Sequence, residues 1–284
     1  MYVGILTAPF HGEPLEHVAA FAAEYGFGGL EVVAAPGSSH VNLDNFTQED
    51  ALRIRDLMER RALTITSLAA YTNNTHPDPD TRKANNEVVR RAIDAAVLLN
   101  VDVVCTLAGH PVPGKSKMQT IEEECTQVFP PLLEYAERKG IKIALENWYA
   151  TNIQHLGHWD RLFQLVPHEN FGLNFDPSHL LWQDIDYINA VHYFADRIFH
   201  THAKDTELKE HRKSWVGNQD GGGWWRYVIP GLGAVRWGEY ISALRSNGYN
   251  GVLSIEHEDS ALGREEGFLI GKKYLEQYFI PGIV

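Results

Sequence analysis

Short apolar runs rich in Val, Ile, Leu and Phe alternate along the chain with longer segments whose apolar positions recur every three or four residues. The short runs predict eight strands: Tyr2–Thr7, Gly29–Val33, Thr64–Ala69, Val101–Leu107, Ile141–Glu146, Phe171–Asp176, Ile198–Ala203 and Gly251–Glu256. Helical periodicity fills the gaps, at Glu16–Tyr25, Gln48–Arg61, Thr81–Asn100, Ile121–Lys139, Trp159–Leu165, Asp186–Phe194, Trp237–Ser246 and Gly263–Tyr278. Several of these helices run out at Gly, as in Tyr25-Gly26-Phe27, Lys139-Gly140-Ile141 and Asn247-Gly248-Tyr249, where a left-handed cap releases the chain into the next strand. Strict strand–helix alternation with short connections argues for a parallel sheet, and eight repeats argue for a closed α/β barrel, a single (β/α)8 TIM barrel spanning residues 1–284. No Pro/Ser-rich linker or charge block divides it. One connection is too long for its place: Thr206–Arg236, which holds Trp215, Trp224, Trp225, Arg226, Tyr227 and the run Gly221-Gly222-Gly223. Its aromatics and glycines predict a lid over a site.

Composition narrows the partners. The 284 residues carry 25 Lys and Arg against 37 Asp and Glu, a net charge of −12, which disfavours nucleic acid and anionic membrane surfaces as partners. The 2 cysteines, Cys105 and Cys125, are too few for a disulfide framework. With no basic, signal-like start and no apolar run of bilayer length, the expected location is cytoplasmic.

In such a barrel the functional face is the carboxyl end of the strands. Side chains alternate along a strand, so with Ile143 and Leu145 facing the helices, Glu146 points inward. The same parity sends Asn174 and Asp176, His200 with His202 and Lys204, and Ser254 with Glu256 toward the axis. Three carboxylates and an imidazole thus converge from four neighbouring strand ends. Like charges in one low-dielectric mouth require protonation or a cation to relieve them. A divalent metal is the economical solution, and a set of Glu146, Asp176, His202 and Glu256 suits Mn²⁺, with Mg²⁺ or Co²⁺ as substitutes. His200, one layer deeper, reads as an interior hydrogen-bonding residue, and Glu31 and His257 as surface or supporting residues.

The order Leu145-Glu146-Asn147, Phe175-Asp176-Pro177-Ser178-His179, His202-Ala203-Lys204-Asp205 and Ile255-Glu256 resembles the sugar phosphate isomerase/epimerase family with the xylose-isomerase-like barrel. That family includes ketose 3-epimerases, inosose isomerases and dehydratases, and epimerases or lyases of 3-keto sugars. The resemblance implies that Glu146, Asp176, His202 and Glu256 are metal ligands and that His179 lies near metal and substrate. Pro230-Gly231-Leu232-Gly233-Ala234-Val235-Arg236-Trp237 is similar to the family's PGxGxVDW segment, with Arg236 where an Asp is usual. The ketose 3-epimerases carry a substrate-binding arginine six residues after the strand-seven histidine; Leu208 stands there, and the His-Ala-Lys-Asp form is instead that of relatives handling inositol ketones and 3-keto glycosides.

The implied chemistry is proton abstraction next to a carbonyl through a metal-stabilised enediolate, with Glu146 and Glu256 as base and acid. Lys204 and His179 would orient substrate oxygens or protonate a departing group, and a leaving group β to the proton would make the enzyme a lyase. Two other enzyme classes are weighed, an abasic-site nuclease, against which the charge speaks, and a retaining glycosidase using the two glutamates. From a different class comes a non-catalytic sugar-binding subunit. Further substrate-binding candidates follow the other strand ends: His11, Tyr71 and His110, with Trp225 and Arg226 from the lid. The expected partner is a small-molecule carbohydrate, and the apolar stretch Tyr274–Val284 suggests a homo-oligomer contact or a last helix packed on its own barrel.

Overall fold

The computed structural model describes residues 1–219 and 223–279. Among the described residues eleven strands form: β1 Tyr2–Leu6, β2 Gly29–Ala35, β3 Val41–Asn42, β4 Thr64–Ala69, β5 Val103–Leu107, β6 Lys142–Glu146, β7 Phe171–Phe175, β8 Ile198–Ala203, β9 Asp205–Leu208, β10 Trp225–Val228 and β11 Val252–Ile255. Eight of them close a parallel barrel in the order β1-β11-β8-β7-β6-β5-β4-β2, with β1 pairing back to β2. The helices are α1 Leu15–Glu24, α2 Gln48–Arg61, α3 Pro79–Leu99, α4 Lys117–Thr120, α5 Thr126–Arg138, α6 Leu156–Leu165, α7 Ser178–Leu181, α8 Tyr187–Tyr193, α9 Glu210–Val216, α10 Trp237–Ser246 and α11 Arg264–Leu275. A wide π-turn over Ile121–Cys125 joins α4 to α5.

Local chemistry sets the boundaries. Thr47 and Asp50 form a reciprocal capping box at the start of α2, and Asp78 caps α3 ahead of Pro79. Gly26, Gly140 and Gly248 exit their helices with φ of 71°, 72° and 86°, the left-handed geometry read from their position in the sequence. Apolar side chains on the outward faces of the strands, such as Ile143, Leu145, Leu173 and Leu253, pack on the helices in one continuous core. The barrel interior is smaller and partly polar: Val103, Cys105 and Ala144 cluster there with Tyr71 and Phe199 at their edge.

Two features break the regular register. The β2–β4 pairing shifts between Leu30 and Glu31, and the β7–β8 pairing between Leu173 and Asn174. Such irregularities re-aim the side chains that follow them. The long connection after β8 is not open loop. β9 and β10 form an antiparallel ribbon over the mouth with α9 between them, while Gly221 and Gly222 lie outside the described residues. From the apolar terminus, Tyr274 and Tyr278 pack against Gly231 and Gly238 of their own barrel, and residues 280–284 lie outside the described residues. No helix among the described residues is long and apolar enough to cross a membrane.

Candidate active site

Two layers of polar side chains cross the barrel axis. The deeper one is organised by Glu31, which follows the β2 register shift and is fully buried. Its Oε1 accepts from the Tyr71 hydroxyl at 2.7 Å, and its Oε2 accepts from Ser254 Oγ at 2.9 Å and lies 3.0 Å from His202 Nε2. Asn174 donates to the Tyr71 hydroxyl at 2.9 Å, and its Oδ1 lies 2.9 Å from His200 Nδ1, whose other nitrogen reaches Thr66 Oγ1 at 3.0 Å. Burial opposes ionisation of Glu31, but the charge and hydrogen bond of His202 outweigh it and bring the carboxyl to about 2. Burial holds His200 at about 4, so it is the neutral hydrogen-bonding residue that its depth implied.

With Nε2 committed to Glu31, His202 turns Nδ1 toward the upper layer, 3.1 Å from Glu256 Oε2 and 3.5 Å from Glu146 Oε1. Glu146 closes β6, Asp176 follows β7, His202 lies in β8 and Glu256 follows β11; one ligand atom from each lies within 4.8 Å of all the others. Asn147 fixes Asp176 by its backbone, accepting from the Asp176 N–H at 2.7 Å and donating to its carbonyl at 2.8 Å. The Asp176 carboxylate accepts the Ser178 N–H through Oδ1, whereas Oδ2 has no hydrogen-bond partner, and neither has His202 Nδ1. Orphaned buried polar atoms are costly. Two of them within one cluster of three carboxylates and an imidazole are what a divalent ion would satisfy, so the residues fit such an ion.

Charge makes the same point. Lys204 Nζ lies 2.6 Å from Glu256 Oε2, 3.2 Å from Asp176 Oδ2 and 3.2 Å from Glu258 Oε2. Burial works against its charge, yet these carboxylates hold its pKa well above the ordinary value. Burial likewise opposes protonation of His202, but Glu31 and Glu256 push it well up. Burial also opposes ionisation of Glu256, and Lys204 followed by His202 outweighs it to bring the carboxyl to about 2. The upper layer is thus short of positive charge. Glu31, Cys105 and His200 also lie within ligating distance of one another, but both Glu31 oxygens are occupied and burial pushes the Cys105 thiol well up, so this deeper trio is scaffold.

The upper layer opens into a cavity of about 340 Å³ lined by Glu146, His179, Lys204 and Glu256, with Tyr71 and Leu107 beneath and Trp148, Tyr149, Tyr227 and Glu258 around it. His179 sits in α7, with Nε2 3.3 Å from Glu146 Oε1 and Nδ1 2.5 Å from the Tyr227 hydroxyl. Tyr71 reaches the cavity as a hydrogen-bond donor to Glu31. Other residues named from the sequence lie elsewhere. His11 is exposed and lines a separate recess of about 310 Å³ with Ser38 and His40. His110 sets its ring edge against Trp148 at 5.5 Å and does not line the cavity. Trp225 stacks on Trp182 at 4.5 Å, at the rim. Arg226 turns away to Glu207 at 2.5 Å and Asp259 at 2.6 Å. The reason is strand parity: on β10, Trp225 and Tyr227 share the face toward the mouth and Arg226 takes the other. That period of two in Trp225-Arg226-Tyr227 turns Tyr227, rather than Arg226, toward the mouth.

Asp205 explains the Pro230–Trp237 segment. Its carboxylate accepts from the N–H groups of Thr206, Gly231 and Val235 and from Trp237 Nε1, all at 2.8 to 3.0 Å. A Cβ at Gly233 would lie 2.2 Å from Asp205 Oδ1, so only glycine lets the loop wrap this carboxylate. Arg236 occupies the N-cap of α10 without a side-chain cap and pairs instead with Glu239 at 2.7 Å.

Comparison with known proteins agrees with the barrel fold. YfiH of Bacillus subtilis (strain 168), an uncharacterized protein, is 28% identical over 298 residues, covering 93% of this chain and 95% of that protein. An inosose dehydratase of Lacticaseibacillus casei is 23% identical over 269 residues, covering 87% of each. Among solved structures, the IOLI protein with a bound zinc atom superimposes with a TM-score of 0.75 at 19% identity, covering 99% of this chain and 100% of that one. The 3-keto-D-glucoside 4-epimerase YcjR of E. coli gives 0.73 at 17%, covering 98% and 99%. The family described as xylose isomerase-like TIM barrel matches residues 19–278, and the chain belongs to that family.

Proposed function

We propose that the protein is a divalent-metal-dependent isomerase or epimerase that removes a proton next to the carbonyl of a keto sugar or keto glycoside. The observation that carries this reading is the cluster of Glu146, Asp176, His202 and Glu256, one ligand atom of each within 4.8 Å of the others, with Asp176 Oδ2 and His202 Nδ1 lacking a hydrogen-bond partner. A divalent ion held there would act as a Lewis acid on the substrate oxygens. The oxygen-rich donor set supports Mn²⁺, with Mg²⁺ or Co²⁺ as alternatives.

The remaining work falls to the chain. Glu146 and Glu256 approach from strands separated by β7 and β8, placing one carboxylate on each side of a bound carbon to take and return its proton. Lys204 and His179 face the same space and hold substrate oxygens. Trp148, Tyr149 and Tyr227 give the cavity apolar faces suited to a sugar ring. The β9–β10 ribbon serves as the lid that shields the reaction from water.

The curated relatives named inosose dehydratase support a second reading, β-elimination from the same carbanion when a leaving group lies β to the abstracted proton. One experiment separates the two. Metal-loaded protein is incubated with ketoses, inososes and 3-keto glycosides in deuterated water and followed by NMR. Deuterium in a rearranged sugar supports the isomerase or epimerase, and loss of water or of an aglycone supports the lyase. A chain that binds no divalent ion, and whose Glu146→Gln variant exchanges protons as fast as wild type, overturns both.

A further inference from the structure

Tyr227 joins the ribbon over the mouth to the polar floor. Tyr227 comes from β10, outside the barrel, and its hydroxyl lies 2.5 Å from His179 Nδ1. Its ring stands edge-on to the imidazole, with centroids 4.9 Å apart, and lies 4.6 Å from Lys204 Nζ. The other imidazole nitrogen, Nε2, faces three groups: Glu146 Oε1 at 3.3 Å, Asp176 Oδ2 at 3.4 Å and Lys204 Nζ at 3.3 Å. Two of these only accept a proton and one only donates. The tautomer therefore decides whether His179 offers a proton to the carboxylates or a lone pair to the ammonium.

We propose that Tyr227 is a positioning residue that donates its hydroxyl proton to His179 Nδ1 and so fixes the tautomer whose Nε2–H faces Glu146 and Asp176. Three observations carry this. The distance is that of a strong hydrogen bond. Among the described residues, His179 Nδ1 is the hydrogen-bonding nitrogen that the structure places at the phenol. Finally, two carboxylates against one ammonium around Nε2 favour an N–H there over a lone pair. Burial keeps the Tyr227 phenol protonated and hence able to donate. His179 is almost fully buried, with Nδ1 held by Tyr227 on one side and Nε2 turned to the carboxylates on the other. The ribbon thereby sets the protonation pattern of the floor: with Tyr227 seated, the Nε2 proton points into the cavity, ready to be shared with an oxygen bound there.

The tautomer is read without any substrate. Full-length protein labelled with ¹⁵N-histidine is compared by long-range ¹H–¹⁵N NMR with Tyr227→Phe, and a His179→Gln variant assigns the signals. Wild type should show a bare Nδ1 and a protonated Nε2, and Tyr227→Phe should show the opposite tautomer or a mixture, with a melting temperature lowered by no more than about 2–8 °C. A wild-type spectrum with protonated Nδ1 overturns the proposal, and so does a Tyr227→Phe spectrum identical to wild type. The kinetic arm rests on the proposed sugar chemistry. There Tyr227→Phe should lower kcat about 10- to 100-fold with KM changed much less, as for other groups that orient a site histidine. Failure of that arm with the tautomer result intact would indict the sugar chemistry and leave the hydrogen bond standing.

Discussion

The two layers on the barrel axis use the same kinds of residue to opposite effect. In the deeper layer Glu31, Tyr71, Asn174, His200 and Ser254 consume one another's hydrogen bonds, and the network is closed. In the upper layer Glu146, Asp176, His202, Lys204 and Glu256 crowd their charges together and leave Asp176 Oδ2 and His202 Nδ1 in ion pairs without a hydrogen bond, while Glu146, Lys204 and Glu256 face an open cavity. Acid and histidine content alone does not separate scaffold from site. Satisfaction does: a polar group whose bonds are all made can only hold its neighbours, and one left unmatched in the interior is available to a ligand. His202 belongs to both layers, giving Nε2 to the first and Nδ1 to the second, and is the joint through which one orients the other.

This contrast can be broken from either side. The largest effect is expected from Glu146→Gln, which removes a charge from the open layer. Proton exchange should fall ~10²- to 10⁴-fold and divalent-ion binding, measured by calorimetry, should weaken, and the metal-free protein should melt somewhat lower than wild type, because burial is outweighed by His179, His202 and Lys204, which stabilise the Glu146 carboxylate. Glu31→Ala attacks the closed layer and leaves Tyr71, Ser254 and His202 with unpaired buried donors. Chemical denaturation should show a loss of about 3 kcal/mol, with ion affinity reduced through the loosened His202.

His158, on α6 away from both layers, is a reference for burial without a network. Burial, then His155 and Lys117, lower it to about 4. Its folded value lies below its unfolded value near 6.5, so the unfolded chain binds the extra proton; stability from this group is full above about 6.5 and is lost as pH falls toward 4. His158→Phe should flatten the stability curve in that window, and an unchanged slope would assign the effect to another group. The smallest effect is expected at Arg236→Asp, which supplies the missing cap of α10. A gain of about 0.5–1 kcal/mol in unfolding free energy with unaltered kinetics would show that departures outside the axis do not touch the site.

Much of this was legible in the residues. The eight barrel strands and their helices followed from apolar periodicity and from caps such as Gly26 and Gly140. The inward parity of Glu146, His202 and Glu256 followed from alternation, because local backbone geometry dictates both. What periodicity could not reach was the ribbon. β9 and β10 are four residues each and pair across a helix, so no single stretch carries a long pattern. Arg226 was therefore expected in the site and Tyr227 was not. Glu31 was read as a surface or supporting residue because nothing along β2 announces the register shift that turns it onto the axis.

The sequence by itself determined the repeat, the face on which chemistry collects and the residue types that gather there, since these depend on backbone period and side-chain chemistry that each segment carries locally. The tertiary structure alone decided which of those residues are spent on one another and which are left open. That depends on distances of a few ångströms between strands far apart in the chain, such as His202 between Glu31 and Glu256. No local pattern encodes such a distance; it is fixed only when the barrel closes and its interior is packed.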